Sequence, residues 1–233
     1  MFRIMFRRSM NLIKLKSINY PKNKHMKKFL IATTLIFSFG LLSAQESKTL
    51  GLNVYGAYIF QDKINFDGSY GYAKEGFQYG AGVEYYIIST VALEVKYLRQ
   101  DTRFPLYTPN GEQVNEGKDK GSINYILIGG TNYFEKNAES KIVPYLGTSI
   151  GAGILDTKDG GSSTKFAFDA SLGIKIRTSS NISFKLHTTI QSITSTFGSD
   201  FYNTGSGVIA LPDYASLFQF GLGGGVFFSF DKK

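Results

Sequence analysis

Two carboxylates and two lysines stand symmetrically about short polar breaks. Glu84 and Glu94 are equidistant from Ser89, and Lys175 and Lys185 are equidistant from Ser180. Lys96, Asp169, Arg177 and His187 fall on the same odd or even parity as their neighbours in these stretches. Where a chain folds back on itself, such mirror pairs meet at one height. Facing carboxylates repel, and desolvated charges persist only when paired. The chemistry on offer is therefore an enclosed ion network: Glu84 and Glu94 against Lys175 and Lys185, extended by Lys96, Asp169, His187 and Gln191, with Arg177 below the lysines. The competing use is catalysis, for which His187, the one histidine after residue 44, is the natural candidate.

Which way these side chains point depends on the strands that carry them. The closing stretch, Ala215–Phe230 (ASLFQFGLGGGVFFSF), shows the pattern. Phe218, Phe220, Leu222, Gly224, Val226, Phe228 and Phe230 share one parity; Leu217, Gln219, Gly221, Gly223, Gly225, Phe227 and Ser229 share the other. A period of two marks a strand with one apolar face. Rings at both ends of that face, with aliphatics or glycine between, follow the depth profile of a bilayer. Stretches 50–60, 75–87, 91–101, 120–134, 141–155, 165–177 and 182–194 alternate likewise. In 120–134, Ile123, Tyr125, Leu127, Gly129 and Tyr133 make the more apolar parity and are expected to face lipid.

The connections alternate in length: 88–90, 135–140 and 178–181 on one side, 61–74, 102–119, 156–164 and 196–214 on the other. Transmembrane barrels have this rhythm, with the short turns periplasmic. Strands of about 11 residues, rising ~3.3 Å each at a tilt of ~40°, match an apolar band of ~25 Å. The sequence thus predicts an all-β fold, an eight-stranded antiparallel up-and-down transmembrane β-barrel with ionic side chains enclosed. Both termini are expected in the periplasm and the long connections outside the cell. Outward rings then form two girdles: Tyr58, Phe60, Phe77, Tyr97, Tyr125, Phe166, Phe168, Phe218 and Phe220 near the long connections, and Tyr85, Tyr133, Phe184, Phe228 and Phe230 near the short ones.

The chain carries 26 basic and 18 acidic residues, which by itself suggests a nucleic-acid partner. Residues 1–44 hold nine of the basic ones and no acidic ones, leaving 17 against 18 in the remainder, so no nucleic acid is expected. Residues 26–44 read as a secretory signal peptide: Lys27 and Lys28, an apolar run from Phe29 to Leu42, and a small-residue exit at Leu42-Ser43-Ala44. That run is shorter than the ~20 residues a transmembrane helix needs. Residues 1–25 form a basic leader before an already complete signal and read as a start codon assigned too early. Residues 45–233 are then one barrel domain. Without cysteine there is no disulfide and no lipid-bearing cysteine.

On these features the chain resembles the small eight-stranded outer-membrane barrels of Gram-negative bacteria, the OmpA transmembrane-domain and OmpX type and the broad outer-membrane β-barrel domain family. The likeness covers residues 48–230 and rests on the signal peptide, the eight alternating stretches and the aromatic ending at Phe228 and Phe230. It implies a location in the outer membrane, contact with its lipid and lipopolysaccharide, and insertion by the barrel-assembly machinery. It also implies a plugged interior, as in the OmpA barrel. Lipid hydrolases of similar build carry a Ser–His pair on the lipid-facing wall, whereas parity turns His187 inward, so no enzyme activity is expected. No metal or cofactor is expected either: Asp156-Thr157-Lys158-Asp159-Gly160-Gly161 lacks calcium-loop spacing. The leading expectation is a structural or interaction protein with a charge-plugged lumen and four surface loops, where Tyr107, Phe201 and Tyr202 are candidate contacts. The competitors are a narrow channel or carrier for small solutes, an accessory barrel of a secretion machine, and a soluble lipocalin-like secreted barrel.

Overall fold

The computed structural model describes residues 49–66, 69–137, 139–158, 161–178, 181–196 and 214–230. The leader, the signal segment and the loop rings Phe201 and Tyr202 lie outside the described residues. In chain order the strands are β1 (Leu50–Ile59), β2 (Asp62–Phe66), β3 (Ser69–Ala73), β4 (Gly76–Ile88), β5 (Val91–Arg103), β6 (Leu106–Tyr107), β7 (Lys120–Tyr133), β8 (Ile142–Thr157), β9 (Gly161–Arg177), β10 (Ile182–Thr196) and β11 (Tyr214–Ser229). Eight of them close a ring in the order β1-β11-β10-β9-β8-β7-β5-β4. The seam is antiparallel, running from Gly51 opposite Ser229 to Ile59 opposite Gly221. Closure removes both edges of the barrel sheet, which a lipid environment could not hydrate.

The outer wall is apolar in mid-height: Val95 is 54% exposed, Ile128 56% and Leu172 60%. A soluble barrel would hide such residues and expose its charges, so the soluble lipocalin-like alternative does not fit this wall. Rings line both ends of the wall. Tyr58, Phe60, Phe77, Tyr97, Phe166, Phe168, Phe218 and Phe220 are exposed toward the long-connection rim, and Tyr85, Phe184, Phe228 and Phe230 toward the short-turn rim.

Strand β7 overturns the expected parity. Ile123, Tyr125, Leu127 and Tyr133 are buried inside, while Ile126 and Ile128 meet the surroundings. Tyr133 and Tyr125 are therefore not girdle residues, and exposed Phe134 takes the place assigned to Tyr133. The cause is chemical: at mid-height both faces of β7 are apolar, Ile126 and Ile128 on one and Ile123, Tyr125 and Leu127 on the other, because this barrel has an oily compartment of its own in the upper interior. A rule that sends the greasier parity to lipid fails where the lumen is greasy too.

The connections also differ from expectation. The stretch 156–164 is not a loop, since Thr157 pairs with Gly161 and only residues 158–160 link β8 to β9. Gly161 has φ +82°, a left-handed backbone that glycine adopts without strain. At ~3.3 Å per residue and a tilt of ~40°, the 17 residues of β9 reach about 43 Å, well past an apolar band of ~25 Å. Ser162, Ser163 and Thr164 are polar because that part of the strand stands clear of lipid, not because it is a loop. Loops 60–75 and 104–119 carry a small sheet, β2-β3-β6. Its inner face, Ile64, Ala73 and Leu106 with neighbouring Phe104, packs on the upper lumen residues. Asn115 fixes the second loop, accepting from Leu106 N at 2.9 Å and donating to Phe104 O at 2.8 Å.

Candidate functional site in the barrel interior

The period-two register turns Asn53 and Tyr55 on β1, Glu84 on β4, Glu94 and Lys96 on β5, Asp169 and Lys175 on β9, and Lys185 and His187 on β10 into the lumen. Among the described residues, the buried charged side chains are Glu84, Glu94, Lys96, Asp169, Lys175 and Lys185, three of each sign. Glu84 lies opposite Glu94, and Lys175 opposite Lys185, in their hairpins. An enclosed, charge-balanced set avoids the large cost of an isolated buried ion.

The pairing is more selective than four charges meeting at one point. Lys185 donates to Glu84 Oε2 at 2.7 Å across the lumen. Tyr133 OH and Asn53 Nδ2 donate to the same carboxylate, at 2.5 and 2.6 Å. The Asn53 amide also donates to Glu94 Oε1 at 2.7 Å, and Tyr55 OH to that oxygen at 2.5 Å. One amide thus bridges two carboxylates that would otherwise repel. Glu94 meets neither Lys175 nor Lys185. Lys96 pairs with Asp169, which also accepts from Thr189 Oγ1 at 2.6 Å and Gln191 Nε2 at 3.3 Å. Gln191 and Gln78 exchange amide hydrogen bonds at 2.9 and 3.0 Å one step higher.

Lys175 departs most from expectation. It pairs with no carboxylate among the described residues; its ammonium lies 3.7 Å from the Phe227 ring centroid and donates to Tyr86 OH at 2.9 Å. Tyr86 and Tyr133 stack at 5.4 Å and complete an aromatic layer with Tyr145 and Phe227 near the short-turn rim. A desolvated cation over ring faces gains about 2 kcal/mol per good contact, which lets it stay without an anion. Arg177 forks onto Glu135 in the 134–141 turn, with Nη2 to Oε2 at 3.0 Å. His187 packs edge-on to Tyr55, with ring centroids 6.0 Å apart.

Above the ion layer the interior turns apolar. Leu98, Ile123, Tyr125, Leu127, Leu155, Ala167, Ile193 and Leu217 fill the upper lumen beneath the β2-β3-β6 sheet. Gly82 shows how tight the ion layer is: a Cβ there would sit 2.5 Å from Glu94 Oε1 and 2.9 Å from Lys96 Cβ. A cavity bordered by Tyr55, Glu94, Lys96, Asp169 and His187 measures about 30 Å³. That is room for about two waters and no solute.

Sequence reasoning identified the charged members but missed Asn53, Tyr133, Tyr86 and Thr189 as their partners. Parity alone places Asn53, Tyr86 and Thr189 inward, so that signal was present; Tyr133 was hidden by the inverted face of β7. No group of three or more His, Cys, Asp or Glu side chains among the described residues is arranged to share a metal ion.

A family model described as outer membrane protein beta-barrel domain matches residues 31–225. No curated protein matches the chain. Among solved structures, Neisserial surface protein A is similar at 18% identity over 78% of this chain and 97% of that one, with a TM-score of 0.52. The N-terminal β-barrel domain of Pseudomonas aeruginosa OprF gives 14% over 79% and 100%, TM-score 0.45. OprG of the same organism gives 12% over 79% and 98%, TM-score 0.49. At such identities the likeness is one of fold.

Proposed function

The chain belongs to the outer membrane protein beta-barrel domain family, and from that premise we propose that it is a closed, non-enzymatic barrel serving the cell envelope through its wall and its long-connection rim. As a member of that family it is an outer-membrane protein. The short-turn rim, where Phe230 N meets Leu50 O at 2.8 Å, is read as periplasmic, and the β2-β3-β6 sheet as extracellular. Its surroundings are then outer-membrane lipid and lipopolysaccharide, reached by way of the barrel-assembly machinery.

The observation that carries this proposal is the filled lumen: an aromatic layer, an ion layer and an apolar layer in series, around a cavity of about 30 Å³. Each layer alone would obstruct a hydrated ion, and the ionic one is held by partners on both walls. Catalysis finds little support in the same geometry. His187 faces a packed interior against Tyr55, where no lipid-sized substrate reaches it.

Planar-bilayer recording of the refolded chain tests the proposal. The parent is expected to show no sustained single-channel steps, and Glu84→Gln to behave the same. Uniform steps in the parent would favour the channel or carrier alternative. Steps appearing only in Glu84→Gln would mark the ion layer as a gate.

A further inference from the structure

The small sheet that ties loop 60–75 to loop 104–119 turns Ile64, Ala73 and Leu106 toward the lumen, so its alternate parity faces away from the barrel. That outer face carries Tyr70, Tyr72 and Tyr107, all half-buried. Tyr70 on β3 lies directly opposite Tyr107 on β6, and their rings stack with centroids 5.3 Å apart and 15° between the planes. Tyr72 stands edge-on to both, at 86° and 83°. The Lys63 ammonium lies 4.4 Å from the Tyr70 centroid. Because β3 runs between β2 and β6, Lys63 covers Tyr70 from the side away from Tyr107.

Two stacked phenols are placed for oxidative coupling. A phenol that gives up its hydroxyl proton and one electron becomes a phenoxyl radical, with unpaired density on the carbons ortho to oxygen. The orbitals holding that density point along the ring normal. Stacked rings aim them at each other, whereas an edge-on ring presents a C–H bond instead. We infer that Tyr70 and Tyr107 are a dityrosine site: a peroxide-driven haem peroxidase joins them by a carbon–carbon bond between ortho positions, fastening the two long loops together. After the radicals join, the hydrogen on each joined carbon leaves as a proton and one proton returns to each oxygen, restoring two phenols. The pair has then lost two electrons and two protons, which one hydrogen peroxide takes up to become two waters. The chain has no cysteine, so a disulfide cannot make such a link. A bond between residues so far apart in sequence removes freedom from every state in which the loops separate. Tyr86 and Tyr133 stack as closely, at 5.4 Å and 17°, but are 8% and 4% exposed inside the lumen. They are an internal control for access. The inference does not depend on whether the lumen conducts, so a conducting parent would overturn the closed-lumen proposal and leave this one standing.

The test treats an equal mixture of isotope-labelled and unlabelled refolded barrel with a haem peroxidase and hydrogen peroxide, then unfolds it and digests it with trypsin. Cleavage after Lys63, Lys74, Arg103 and Lys118 releases peptides 64–74 and 104–118. The expected product is these two peptides joined with loss of two hydrogen atoms, both carrying the same label. Tyr70→Phe and Tyr107→Phe each lack one hydroxyl and should lower its yield at least about tenfold, while Tyr72→Phe should leave it within about twofold. Heat-modifiable gel mobility shows whether each variant is folded, and locating the bond in the parent by tandem mass spectrometry requires no variant. Absence of the joined peptides overturns the inference. So does loss of the product in folded Tyr72→Phe, or mixed labelling, which marks coupling between molecules. A Tyr86–Tyr133 link in equal yield also overturns it, because coupling would then ignore access.

Discussion

The two halves of the lumen solve the same filling problem with opposite materials. In the half nearer the short turns, six buried charges are held by tyrosines, amides and one another, and the charged groups depend on named partners. In the half beneath the β2-β3-β6 sheet, Leu98, Ile123, Leu127, Leu155, Ile193 and Leu217 pack without needing partners of any particular chemistry. The lower half is thus sensitive to which atom is removed, and the upper half to how much volume is removed. A lumen built only of ions would admit water wherever one pair loosened. An apolar layer in series blocks that route.

Removing one member of an ion pair should do most to break this contrast. Lys185→Met leaves Glu84 buried without its cation and is expected to cost about 3–5 kcal/mol in urea unfolding of the refolded barrel. Lys185→Met with Glu84→Gln should recover a large part of that loss. Next, volume in the upper half: Leu127→Ala should cost about 2–5 kcal/mol, whereas Ile128→Ala, one residue on and facing lipid, should cost less than about 1 kcal/mol. Equal costs would restore the parity first expected for β7.

Lys175→Met sharpens the comparison within the lower half. It loses ring contacts but leaves no carboxylate behind, so the expected cost is about 1–2 kcal/mol, clearly below that of Lys185→Met. A cost as large as that for Lys185 would mean that Lys175 serves as a counter-ion after all. The smallest effect belongs to Arg177→Gln at the rim, where the arginine side chain is 33% exposed and about 1 kcal/mol is expected.

Much of this was legible in the chain itself. Alternation in Lys165–Arg177 and Ile182–Thr194 assigned the inward faces of β9 and β10, and mirror symmetry about Ser89 placed Glu84 beside Glu94. The pairing across the lumen was not legible. That Lys185 takes Glu84 while Lys175 settles on Phe227 depends on the distance between walls, which no single strand encodes. Loop 61–74 showed polar residues and tyrosines, but not that Ile64 would turn down onto the upper lumen.

What the sequence determined alone is most of what repeats at period two: the strand count of the barrel, the lipid-facing wall outside β7, the heights of most rings, and the enclosure of the charges. Each follows from local alternation meeting one uniform environment. What only the tertiary structure decided is where that environment ceases to be uniform. At mid-height both faces of β7 are apolar because one meets lipid and the other meets an apolar plug, and only closure of the ring tells them apart.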